Sequence, residues 1–133
     1  MIFGIGTDIV QISRIEAALL RSGERFAEKI LGDDEIHIYL KRKAKSHALG
    51  VKFLASRFAA KEAFSKALGL GMRAPMSWQS VQVTNEIDGQ PSVVLSGPIS
   101  EWVSERGLVA KLSLSDEVEY ALAFVLIEHL NLH

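Results

Sequence analysis

Arg57, Lys61, Glu62, Ser65 and Lys66 stand within ten residues of one another, in the stretch FLASRFAAKEAFSKALGLG at residues 53–71. Arg57 and Lys61 are four apart, as are Glu62 and Lys66, so on a helix each pair lies one turn apart on the surface. A carboxylate, several cations and the flexible turn at Gly69 and Gly71 suit a divalent metal and a polyphosphate. The same pattern suits an ordinary amphipathic helix with a solvated Glu–Lys pair, and this segment alone favours that plainer reading. A second carboxylate, Asp8, follows the glycine-containing run MIFGIGT. At a strand end it would project into a site; as a helix cap or turn residue it would not, and the sequence leaves both open.

These side chains need elements to hold them. Residues 53–71 read as a helix: Ala, Leu, Lys, Glu and Arg dominate, proline is absent, and the two glycines stop it. Phe53, Leu54, Phe58, Ala59, Phe64 and Leu68 supply a broad apolar face. Residues 1–7 read as a buried strand that ends at Asp8, with Gly4 and Gly6 permitting close approach of a backbone or a ligand. Residues 12–20 and 26–31 read as short helices, and Gly32-Asp33-Asp34 caps another through about Lys41. The basic run Lys41-Arg42-Lys43 with Lys45, then residues 46–50, lead into the central helix.

After Gly71 the texture changes. Residues 81–84 and 91–95 form a hairpin about Asp88-Gly89, and Ser96-Gly97-Pro98 opens a helix that Gly107 closes. Residues 111–115 alternate as a strand, Asp116-Glu117 turns, and residues 120–128 form a nearly all-apolar strand that must be central or buried at an interface. The order of strand, helices, hairpin, helix and hairpin predicts an α+β fold: an antiparallel sheet packed with a long central helix and shorter helices.

The 133 residues read as one domain spanning 1–133, with 48% apolar residues, enough to bury a core. Cysteine is absent, which excludes disulfide frameworks and zinc–thiolate sites. No segment approaches the roughly 20 apolar residues of a membrane span, and the N-terminus lacks a basic leader, so the expected location is cytoplasmic. A net charge of −1 argues against nucleic acid as a partner. Local basic clusters (Arg14, Arg21, Arg25 and Lys29) suit a specific acidic partner instead, whereas the 41–45 run reads as solvated surface.

Two stretches, GIGTDIVQISRI at residues 4–15 and RFAAKEAFSKALGLG at residues 57–71, resemble the signatures of the holo-acyl-carrier-protein synthases, the small class of 4′-phosphopantetheinyl transferases. The NEIDGQPSVVL hairpin and the closing SLSDEVEYALAFVLIE extend the resemblance along the chain. It implies transfer of 4′-phosphopantetheine from coenzyme A to a serine of apo acyl carrier protein, with Mg²⁺, by a homotrimer whose active sites lie at subunit interfaces. Carried over by residue, Asp8 and Glu62 would bind the metal, and Lys66 would sit over the pyrophosphate. Arg57, Lys61, Ser65 and the Gly69–Gly71 turn would line the coenzyme phosphates. Arg14, Arg21 and Arg25 would meet the acidic carrier protein. Glu62 itself or a metal-bound water would accept the serine proton, with the water preferred. Many members carry a histidine where this chain has Ser115-Asp116-Glu117, so no role is carried over there.

Two other readings compete. A non-catalytic trimeric module binding a nucleotide or an acidic protein would keep the basic helix without needing Asp8 and Glu62 together. A metal-dependent pyrophosphate hydrolase would bring a denser carboxylate cluster. His129 and His133, four apart, read as a frayed tail rather than a metal pair. His37 and His47 read as unpartnered surface residues, and Trp78 and Trp102 as core or trimer contacts.

Overall fold

A 22-residue helix runs across a three-stranded antiparallel sheet in the computed structural model, which describes residues 1–130. In chain order the elements are β1 (Ile2–Gln11), α1 (Ile12–Ser22), α2 (Glu24–Ile30), α3 (Asp33–Lys45) and the long α4 (His47–Leu68). Then come β2 (Val81–Asn85), β3 (Pro91–Leu95), α5 (Gly97–Glu105), β4 (Leu108–Asp116) and β5 (Tyr120–His129). The sheet order is β1-β5-β4, with β5 central, and β2-β3 forms a separate two-stranded hairpin. Among the described residues this is an α+β architecture with five helices. Among the described residues, no helix is long and apolar enough to cross a membrane.

The nearly all-apolar β5 is central, as its composition predicts, with Ala121, Ala123, Val125 and Ile127 turned onto α4. The helix meets them with Leu54, Ala55, Ala59, Ala60, Ala63, Phe64 and Ala67, all buried. Small residues bring the backbones together, and each large side chain buried contributes about 1.5–3 kcal/mol.

Gly4 and Gly6 set how closely β1 approaches. A Cβ on Gly4 would overlap the Ala67 carbonyl, and one on Gly6 the Ala63 carbonyl. Four helical residues advance about 6 Å and two strand residues about 6.6 Å, so the two repeats run in step. The next inward position of β1 is Asp8, and the next turn of α4 back towards its N-terminus carries Glu62 and Ala59.

Several boundaries differ from the sequence reading. β1 does not end at Asp8 but continues to Gln11, because every residue from Gly4 onward finds a partner on β5. Nor is it buried on both faces: Ile5 and Ile9 are 59% and 62% exposed. The basic run belongs to α3, where strong helix formers and cations at a C-terminal end are favoured. α4 starts at His47, not Phe53, because the Ser46 hydroxyl accepts from the Leu49 N–H at 3.1 Å and caps it. Asp116 is the last residue of β4, and the turn that follows is closed by Glu117 N–H donating to the Tyr120 carbonyl. His129 is no frayed tail: it ends β5, with its N–H on the Met1 carbonyl and its ring edge against Phe3. His133 lies outside the described residues.

Candidate active site

Asp8 enters from β1 and Glu62 and Lys66 from successive turns of α4, so the glycine-enabled approach of strand to helix brings the three together. Lys66 Nζ donates to the Thr7 carbonyl at 3.0 Å and lies 3.1 Å from Asp8 Oδ1. Glu62 is pushed above the ordinary carboxylate range, first by partial burial and then by the negative charge of Asp8, with Lys66 opposing. Two neighbouring carboxylates whose repulsion is only partly relieved by one lysine form a site short of positive charge. Mg²⁺ takes one or two protein carboxylates and fills its remaining positions with water or substrate phosphate. Asp8 and Glu62 fit that demand. Among the described residues, no cluster of three or more His, Cys, Asp or Glu could hold a metal on its own, so an open, substrate-completed site is the kind these residues suit.

The pair opens onto a groove of about 440 Å³ lined by Asp8, Arg14, Ala18, Arg21, Phe26, Phe58 and Glu62 among others. α1 contributes both arginines from its exposed side, while Ile15, Ala18 and Leu19 anchor its other face. Phe58 precedes Glu62 by one helical turn and therefore shares its face. Its ring stacks on Trp78 at 5.1 Å and lies 6.4 Å from Phe26. Arg25 lines a neighbouring hollow of about 550 Å³ with Arg21 and Lys29, so the three arginines span two adjoining basic surfaces. The groove therefore gathers two carboxylates, two arginines and two aromatic rings on one surface.

Just beyond Lys66, at the C-terminal end of α4, Gly69 adopts φ 78° and Gly71 φ 65°, both left-handed. Gly69 N–H donates to the Lys66 carbonyl and Leu70 N–H to the Ser65 carbonyl, the paired bonds of a Schellman stop. These bonds satisfy carbonyls that would otherwise repel an anion at this end of the helix dipole.

Two residues expected at the coenzyme phosphates lie elsewhere. Lys61 is 0% exposed and gives its protons to Glu35 Oε1 and to the Ile30 and Trp78 carbonyls, so none remains for a phosphate. Burial pushes its pKa below the ordinary lysine value, with Glu35 opposing. Ser65 is also buried, and its hydroxyl donates to the Glu62 carbonyl. The helical periodicity that lifts Glu62 and Lys66 to the surface turns these two inward. Arg57 is buried over the Phe53 ring at 4.2 Å, donates to Ser56 Oγ and keeps an unpaired Nε. Burial lowers its pKa to about 10, Glu35 opposing and Arg42 adding to the shift.

The sequence reading missed Phe26 and Phe58 as groove residues and Glu35 as a core acid. The four-residue spacing of Phe58 and Glu62 was a usable signal. Glu35 gave a weaker one, at the third helical position after Gly32, whose N–H it accepts at 2.9 Å. His47 is at the surface but not unpartnered, since it pairs with Glu16 at 2.8 Å.

A long helix packed by small residues onto an antiparallel sheet, with a carboxylate pair and a lysine where they meet, is an arrangement that suits phosphoryl transfer. Residues 4–125 match the 4′-phosphopantetheinyl transferase superfamily, and the chain belongs to it. Within that superfamily it is similar to holo-(acyl-carrier-protein) synthases. It is 60% identical over 128 residues to the one from Herminiimonas arsenicoxydans, covering 96% of this chain and 98% of that protein. It superposes on the crystal structure of the synthase from Neisseria meningitidis with a TM-score of 0.88 at 40% identity, covering 96% and 99% of the two chains. The synthase from Bacillus anthracis in complex with coenzyme A (3′,5′-ADP) matches with a TM-score of 0.80 at 35% identity, covering 97% and 98%.

Proposed function

We propose that this chain is a holo-(acyl-carrier-protein) synthase acting as one catalytic domain over its whole length: it transfers 4′-phosphopantetheine from coenzyme A to a serine of apo acyl carrier protein. The observation that carries the reading is the meeting of Asp8, Glu62 and Lys66 beside a groove that Arg14, Arg21, Phe26 and Phe58 also line. The superfamily match and the coenzyme A complex of a relative 35% identical support the same substrate.

In the proposed reaction the serine oxygen attacks the phosphorus that bears pantetheine, a P–O bond forms, and the bond to the bridging oxygen breaks. Adenosine 3′,5′-bisphosphate departs with that oxygen. Mg²⁺, when bound, supplies Lewis-acid neutralisation of the diphosphate. Asp8 and Glu62 would hold it. Lys66, half-exposed beside them, releases Asp8 and turns to the bridging oxygen, where negative charge develops. Glu62 directs the serine proton to its own free oxygen or to a water it orders. Arg57, whose guanidinium hydrogen-bonds only Ser56 among the described residues, and the Gly69–Gly71 turn serve the remaining coenzyme phosphates. Arg14, Arg21 and Arg25 face the acidic carrier protein.

The assembly is a homotrimer, with active sites at its subunit interfaces. Ile5, Ile9, Leu122 and Phe124 are all at least two-fifths exposed on the outer face of the sheet, and Ile9 pairs with Leu122 across β1 and β5. A contiguous apolar sheet face of this kind calls for cover by another copy. A cytoplasmic location goes with a coenzyme A substrate.

The test is intact-mass spectrometry of an apo acyl carrier protein incubated with the chain, coenzyme A and Mg²⁺, beside an EDTA control. A gain of one phosphopantetheine that EDTA prevents is expected. Coenzyme A binding without any gain across several carriers would leave a binding module in place of an enzyme.

A further inference from the structure

Lys61 is fully buried in a position that methionine or leucine would fill without desolvating a charge. Its ammonium has three protons and meets three acceptors: Glu35 Oε1 and the Ile30 carbonyl at 2.6 Å each, and the Trp78 carbonyl at 2.7 Å. Glu35 alone would balance the charge. The two carbonyls do something else, because each belongs to a part of the chain that supports the aromatic wall of the groove. Ile30 is the last residue of α2, which carries Phe26. Trp78 stacks face to face on Phe58. Phe26 and Phe58 line the groove beside Arg14 and Arg21.

We propose that Lys61 is a positioning residue for the carrier-facing wall: it ties α2 and the segment around Trp78 to α4, so that Phe26 and Phe58 stand at a fixed distance from the two arginines. The proposal rests on the reading of the groove as the carrier side. Glu35 completes the clamp from α3 and β2, since it also accepts from the Gly32 and Val83 N–H groups. Removing Lys61 leaves Asp8, Glu62 and Lys66 in place and loosens the surface the protein substrate meets.

The test compares Glu35→Gln with the double variant Lys61→Met/Glu35→Gln. Both are built on Trp102→Phe, so that fluorescence reports Trp78 alone. Glu35→Gln keeps both ammonium–carbonyl ties and is expected to keep the reference ratio of carrier KM to coenzyme A KM. The double variant removes the ties without stranding a buried charge. It is expected to raise the carrier KM about fivefold or more, to hold the coenzyme A KM within about twofold, and to red-shift Trp78 emission. A purely structural role would lower Tm in both and leave the ratio unchanged, which overturns the proposal. If the double variant does not fold, Lys61→Met alone, in which Glu35 can take up a proton and stay neutral, decides in its place: a raised ratio supports the clamp, and an unchanged one overturns it. A reference protein that fails to modify any carrier would defeat the functional reading. The Trp78 emission shift would still test the clamp in that case.

Discussion

In the free chain the ammonium of Lys66 lies 3.1 Å from Asp8 Oδ1 and 3.0 Å from the Thr7 carbonyl, so the lysine rests on the carboxylate that a metal would claim. Its side chain is 52% exposed, and an exposed pair of this kind stabilises a fold by about 0–1 kcal/mol. The contact is therefore a parking place more than a brace. Lys66→Met is expected to leave Tm nearly unchanged while lowering kcat by about 10²–10³, the usual loss when a transition-state donor is removed. A large drop in Tm, or near-normal turnover, would count against this division of roles.

Glu62 carries the pH dependence. Its carboxyl is raised first by burial and then by Asp8, so its ionised form is the disfavoured one in the folded chain. The sign follows: the cost is absent below the ordinary carboxylate pKa, grows as pH rises through the raised folded value, and is complete above it. Glu62→Gln should accordingly raise Tm at neutral pH in EDTA and lose that advantage in strong acid, while abolishing transfer. Mg²⁺ should raise the Tm of the unaltered chain and not that of the variant. In Asp8→Asn the second cause disappears, and the Glu62 carboxyl carbon, followed by NMR, should titrate at lower pH. An unchanged midpoint would mean that the two carboxylates do not sense each other.

Arg14 lies on the exposed side of α1 and lines the groove with Arg21 and Phe58. Reversing its charge should weaken an acidic protein partner without touching the diphosphate. For Arg14→Glu the expected result is a carrier KM raised about tenfold, shrinking as salt is added, with coenzyme A KM little altered. Equal effects on both substrates would move the arginine to the coenzyme.

Much of this arrangement was legible in the chain. Glu62 and Lys66 are one turn apart, and any helix through residues 53–71 had to place them on one side. The apolar β5 announced a central strand. What the sequence could not convey is which of five neighbouring polar residues point out. Lys61 and Ser65 share the composition of the exposed set but sit on the buried face: Ser65 turns its hydroxyl back to the Glu62 carbonyl, and the burial of Lys61 depends on Glu35, Ile30 and Trp78 supplying partners from distant parts of the chain. Only the packing decides that. The end of β1 was misplaced for a similar reason: Asp8 looks like a terminator by composition, and pairing with Ala123 on β5 overrides it.

Gly6 links the fold to the chemistry most directly. A Cβ there would strike the Ala63 carbonyl, which is backbone and cannot swing aside as a side chain would. In Gly6→Ala, β1 must therefore withdraw from α4, at a cost of about 1–3 kcal/mol for a forced misfit in a packed interior. Asp8 is two residues further along the same strand and on the same face, so it withdraws from Glu62 as well. The expected variant folds with a lower Tm and, at temperatures where it is fully folded, shows a reduced Mg²⁺-dependent rise in Tm and slower transfer. Calorimetry with and without Mg²⁺ separates the two effects. A simple loss of stability would leave the metal-dependent rise intact, whereas a displaced carboxylate takes it away. A Gly6→Ala chain with the Tm and metal response of the unaltered protein would show that the close approach of strand and helix does not set the site.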